Sequence, residues 1–416
     1  MNNTLNATIS LIIFIIILLI KIIINKKNPN DYRDELSKKI KRINFLLVLF
    51  SIILFIASFL INRTIEKEMS IKLNILNALS IALISLPLAT FNLYKTSIKE
   101  KDKYIHITNV ITDIVDEKYT KLFNNAGIHL IVLSKTKPKY IKETIEEITY
   151  KKSLLNKNIH LKSKELLSKI KGKNIIEENK SLSRLYEEIM AARGVHDNYL
   201  RTLKYNIYTF IPLVILYFIL KLNGFPFSYS LILIMITKLF MTIMNEFVYK
   251  NLPYDTDIPE RLPNDSKTLF GTQELILIII ETFIINIFLS IPYMNLMAQG
   301  GSQELSNTIL YITFVYSNIL ITLSLLSEQI LLKNILKAFK KISLIIYLFL
   351  AVGISIFFNF NHYFITRNIG LQNYLGSILM AIIIVIFLEL IKFARLTRVK
   401  GAKKHGTKNN KKHRRS

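Results

Sequence analysis

Two ionisable side chains lie inside long apolar runs of the sequence, Lys238 in LILIMITKLFMTIM and Glu281 in ELILIIIETFIINIF. A charge far from water is costly unless it is paired or hydrated, so such residues are where chemistry is expected. If both runs cross a bilayer, the two groups fall at a similar depth in successive helices. The chemistry they then offer is an internal ammonium–carboxylate pair. A second reading also stands, in which Lys238 snorkels or is held neutral and has no function. Other reactive sets are thin. The 416 residues include no cysteine, which excludes disulfides, thiolate metal sites and cysteine nucleophiles. His405 and His413 are too sparse for a metal site, and no residue is assigned to catalysis, to a cofactor or to a metal.

The elements that must position Lys238 and Glu281 are legible from hydropathy. Hydrophobic residues make up 51% of the chain and gather in runs long enough to cross a bilayer. Nine spans are read, at roughly 7–25, 43–61, 71–94, 207–222, 229–248, 270–291, 305–326, 343–360 and 374–392. Each is apolar around its circumference, as lipid-embedded helices are. The first lacks a basic n-region and a small-residue cleavage site, and reads as a retained helix.

The net charge of +26 is unevenly spread and reports topology rather than a nucleic-acid partner. Loop 26–42 carries Lys26, Lys27, Arg33, Lys38, Lys39, Lys41 and Arg42. Segment 327–342 carries Lys333, Lys337, Lys340 and Lys341, and the tail after Lys392 is dense in Lys and Arg without an acid. Loops 223–228, 292–304 and 361–373 hold Arg367 alone. Alternating sides over nine spans gives an α-helical polytopic protein of the cell membrane, with its N-terminus outside and its C-terminus cytoplasmic.

One soluble insertion, roughly 95–205, falls on the cytoplasmic side. Within it, Ala126-Gly127 precedes the apolar run Ile128 to Ser134. Pro138 then precedes the amphipathic stretch KYIKETIEEI, with Ile141, Ile145 and Ile148 at helical spacing. This reads as one βα unit of a reduced α/β domain. The expected divisions are membrane helices over 1–94, the reduced domain over 95–205, a six-helix membrane domain over 206–397 and a basic tail over 398–416.

Several segments resemble P-type cation-transporting ATPases of the calcium-pump-like class. AARGVHDNYLRTLKYNIYTF resembles the entry to that family's fifth membrane helix, with Asp197-Asn198, Lys204 and Tyr205 in place. A Gly-x-Pro turn follows at Gly224 and Pro226. NLPYDTDIPERLP is similar to the family's linker E-P-P-x-P-D-I-M-x-R-P-P, keeping Pro253, Asp257, Ile258, Arg261 and Pro263. NTILYITFVYSNILITLSLLSE resembles the eighth helix through Thr308, Thr313, Val315, Ser317 and Ser327. Glu389-Leu390-Ile391-Lys392 resembles the acidic-x-x-Lys close of the tenth. AGIHLIVLSKTKPKYIKETIEEI resembles a stretch of the phosphorylation domain. The resemblance implies that the nine spans stand for helices two to ten. The actuator domain is then replaced by loop 26–42, and only a remnant of the phosphorylation domain remains.

The family phosphorylates an aspartate in D-K-T-G-T, with Mg²⁺ held by further acids. Here Asp102-Lys103 continues as Tyr104-Ile105, the family's T-G-D reads Ser134-Lys135-Thr136, and the G-D-G-x-N-D loop is missing. Nothing the size of a nucleotide-binding domain fits between Tyr94 and Ala126. No ATP turnover is therefore expected. The resemblance also places the family's cation site. Pro87 keeps the fourth-helix proline, but Leu88 follows in place of an acid. The fifth-helix ligand positions fall at Phe210 and Leu213, and the sixth-helix ones at Lys238 and Thr242. A cation needs a cluster of oxygen ligands, which this set lacks.

The expected function is a catalytically inactive relative of these pumps, a regulatory or interaction subunit in cation transport that pairs with a full-length P-type ATPase. Alternatives are the membrane part of a split transporter whose ATPase domains act in trans, a passive transporter, or a decaying gene product. Expected partners are the lipid bilayer, anionic lipid at the basic tail and such an ATPase. No nucleic acid is expected, because no aromatics interleave with the tail's charges.

Overall fold

The computed structural model describes residues 35–65, 70–90, 104–105, 107–112, 116–132, 175–177, 181–225, 229–250, 252, 255, 258–260, 270–327, 329–331, 341–360 and 369–413. The expected span 7–25, the stretch KYIKETIEEI, and Pro226, Pro253, Asp257, Arg261 and Pro263 lie outside the described residues.

Where spans were expected, the described residues are helical. α1 covers Glu35–Ile65 and α2 covers Ile71–Thr90. α4 is Leu182–Leu222, α5 Tyr229–Lys250, α6 Thr272–Ala298 and α7 Gln303–Ser324. α8 is Ile342–Phe360 and α9 Leu371–His413. Six of these are long and apolar enough to cross a membrane, and two shorter apolar helices, Ile71–Ile84 and Ile342–Phe357, accompany them. Helices are the expected solution, because lipid offers the backbone no hydrogen-bond partners. The lipid-facing sides keep large exposed apolar groups, such as Phe45, Phe283, Phe349 and Leu379.

Between α2 and α4 lies a small α/β layer. Strands β1 (Asn109–Thr112), β2 (His129–Val132) and β3 (Ile175–Glu177) form a parallel sheet in the order β2-β1-β3. Helix α3 (Glu117–Asn125) makes the crossover from β1 to β2. Asp116 caps α3 by accepting from the amides of Lys118 and Tyr119 at 2.9 and 3.2 Å. Gly127, at φ 70°, then turns the chain into β2. The single βα unit expected from sequence is therefore an underestimate. Strands of four and three residues are too short to show alternation, so β1 and β3 left no pattern to read. Their core joins Val110, Phe123, Ile128 and Leu130 to Leu185 and Ile189 of α4.

The longest correction concerns α4. The sequence predicts a membrane helix beginning near residue 207, but the helix starts at Leu182 and runs unbroken for 41 residues. At 1.5 Å per residue it is about 60 Å long, twice the bilayer's hydrocarbon core. Its first half carries polar residues and packs on the sheet, which is why hydropathy ended the span early. Arg193 on this half donates to the Ala126 carbonyl at 3.0 Å. The α5–α6 connection meets the same region. Asn198 donates to the Leu252 carbonyl at 3.2 Å, and Arg201 reaches Asp255 at 2.6 Å. Ile258, in a 3₁₀ turn over Ile258–Glu260, is buried in the α/β core.

Candidate functional site

α4 divides the membrane interior into two polar regions. Residues two apart on a helix point about 200° apart, so Asn206 and Tyr208 face opposite sides of α4. On the Asn206 side stands α5. Thr242 donates to Asn206 Oδ1 at 3.4 Å, and Lys238, one turn along α5, shares that face. Phe210, one turn from Asn206, is buried with its ring edge-on to Phe50 of α1 at 6.2 Å. Leu213 is fully buried. Lys238 is 1% exposed, and its terminal amine has no hydrogen-bond partner among the described residues.

On the Tyr208 side stands α6, whose Glu281 accepts the Tyr208 hydroxyl. The expected Lys238–Glu281 ion pair is therefore not formed. The two residues do lie in successive spans, but α4 stands between them. Hydropathy gives depth along a helix and not the side on which a neighbour sits. Of the other expected positions, Pro87 falls within α2, whose helix continues to Thr90 rather than breaking at the proline. The surroundings of its side chain lie outside the described residues. Among the described residues no cluster of three or more His, Asp or Glu could hold a metal ion.

Near the end of the bundle that adjoins the α/β domain, α4, α6, α7 and α9 leave a crevice. Its polar lining is Lys204, Tyr208, Glu274, Glu281, Lys392 and Arg395, with room for about one water molecule. Lys204 pairs with Glu274 at 2.7 Å and Lys392 with Glu389 at 2.8 Å. Lys392 also donates to the Ser324 carbonyl at the end of α7, where a cation suits the helix's exposed carbonyls. Glu389 accepts from Ser324 Oγ at 2.6 Å and from the Leu331 amide at 2.8 Å. The Glu389-x-x-Lys392 pair, expected to close its span but lying near the middle of α9, which runs on to His413, thus ties down the chain leaving α7.

A further polar network, not foreseen from sequence, crosses the bundle. Tyr205 donates to Asn318 at 2.9 Å, Asn245 donates to Thr322 at 2.7 Å, and Tyr347 lies 2.9 Å from the same hydroxyl. The available signal was spacing: Asn318 and Thr322 stand one turn apart on α7, as Asn245 and Tyr249 do on α5.

The helices, their joints and the crevice describe a multi-span helical membrane protein. Residues 225–394 match the family model for the C-terminus of cation-transporting ATPases. Over that stretch, which is less than half of the chain, the protein is similar to the C-terminal membrane domain of cation-transporting ATPases. A comparison with curated proteins finds no match.

Proposed function

We propose that the chain is a non-catalytic relative of P-type cation pumps, serving cation transport as a regulatory or interaction subunit of a complete pump. The observation that carries this reading is the region between α4 and α5. At the four positions where the resemblance puts cation ligands, the chain buries an aromatic ring, an aliphatic side chain, the amine of Lys238 and a single hydroxyl, that of Thr242. A cation would meet Lys238 at close range and, among the described residues of that face, the oxygens of Thr242 and Asn206, too few to replace its hydration. Sequence supports the rest of the reading, since the phosphorylated aspartate motif and the Mg²⁺ loop are absent. In this reading the α/β domain and the basic end of α9 lie in the cytoplasm at the cell membrane. Arg398, Lys400, Lys403 and Lys404 there supply the positive charge that attracts anionic headgroups.

The test is direct. The purified chain, incubated with ATP and Mg²⁺, is expected to give neither an acid-stable phosphoenzyme nor vanadate-sensitive turnover, and a full-length P-type ATPase is expected to copurify with it. A phosphoenzyme would falsify the reading. Turnover restored by separately supplied actuator and nucleotide domains would replace the subunit with a split pump.

A further inference from the structure

The crevice between α4, α6, α7 and α9 holds a carboxyl that the proposed function does not use. Glu281 is 9% exposed and lies on a membrane-spanning helix, yet it lines a space that water can enter. Glu274 lies seven residues earlier on α6, two turns nearer the domain end and on the same face, about 10 Å along the axis. Lys204 and Tyr208 repeat this ordering on α4, one turn apart, and Arg395 and Lys392 repeat it on α9. Three of the four helices, α4, α6 and α9, therefore place a charged group near the mouth and a second polar or charged group deeper in. The deepest acid is Glu281.

We propose that Glu281 is a reversible proton-binding carboxyl, reached by water from the domain end of the bundle through this crevice. The ligand is the proton itself, which converts the carboxylate to the neutral acid with no other bond changed. The groups facing Glu281 set its balance. From α4, Tyr208 donates a hydrogen bond that favours the carboxylate, and Lys204 adds positive charge. From α9, Arg395 and Lys392, the latter offset by its pairing with Glu389, also favour the carboxylate, while Glu274 on α6 and burial favour the acid. From α7 the lining is Ser324 and Leu325, neither of them charged. An ionisable side chain inside a membrane domain, with a crevice leading to it and a hydroxyl partner, has the parts of a proton site. The inference is independent of the subunit reading, because it holds whether or not ATP is hydrolysed.

Carbodiimides react with protonated carboxyls, so the full chain in lipid nanodiscs is labelled with dicyclohexylcarbodiimide from pH 5 to 9 and the adducts are located by peptide mass spectrometry. The adduct at Glu281 is expected to grow as pH falls, by about tenfold per unit above its midpoint. Tyr208→Phe removes a donor to the carboxylate and should raise the midpoint by about one unit. Leu388→Trp, which fills the crevice, should slow labelling of Glu281 by a water-soluble carbodiimide and leave Glu274 labelled. Should Tyr208→Phe fail to fold, the pH profile of the unaltered chain still decides. No adduct at Glu281 at any pH, or one indifferent to pH, overturns the proton site. An unchanged rate in Leu388→Trp overturns the route.

Discussion

At the domain end of the bundle Arg201 has Asp255, Lys204 has Glu274 and Lys392 has Glu389. Deeper in, on the other side of α4, Lys238 has no hydrogen-bond partner among the described residues. The two regions carry different obligations. The paired charges join one element to another: α4 to the α5–α6 connection, α4 to α6, and α9 to the end of α7. Losing one of them would loosen the fold. The region around Lys238 joins nothing through charge.

The comparison can be broken most forcefully at Arg201. Arg201→Met leaves Asp255 buried without its cation, and should lower unfolding stability by about 3–5 kcal/mol. Thermal unfolding in detergent reads this, and a loss well under 1 kcal/mol would show that the charge is not a joint. The opposite sign is expected at Lys238. Lys238→Met removes a buried ammonium without hydrogen-bond partners and should raise stability by about 1–3 kcal/mol in the same assay. Destabilisation there would mean that the ammonium has a partner after all. The smallest effect tests the network in the bundle's interior. Tyr347→Phe deletes a hydroxyl that bonds Thr322 at 2.9 Å and, more weakly, the Asn318 carbonyl at 3.5 Å, and should cost about 0.6 kcal/mol, the typical worth of one such bond inside a membrane domain.

Much of the architecture was legible before any coordinates. Runs of apolar residues place α2, α5, α7 and α8 to within a few residues, because lipid imposes length and composition together, whereas α1, α6 and α9 run on past their apolar spans, α9 by 21 residues to His413. The motif residues proved to be joints: Asn198 bonds the α5–α6 connection, Lys204 pairs with Glu274, Tyr205 meets Asn318, and Glu389 with Lys392 secures the end of α7. What stayed hidden had physical causes. The first half of α4 is too polar to read as a span and too long to suggest a soluble helix. β1 and β3 are too short for periodicity. The Lys238–Glu281 pairing failed because a sequence gives no angle between neighbouring helices, and α4 intervenes.

One consequence of α4 concerns mechanics. Between Leu182, packed against the sheet, and Pro212, whose carbonyl accepts Asn286 at 2.8 Å, the helix is a single stiff beam of about 45 Å. A rotation of only about 5° about its inner end would sweep the sheet through about 4 Å, by the length of the arm alone. Tyr208 and Asn206 sit close to that pivot, where the same rotation shifts them by well under an ångström. The beam is thus geared: large excursions of the outer layer correspond to fine adjustments at Glu281 on one flank and Lys238 on the other.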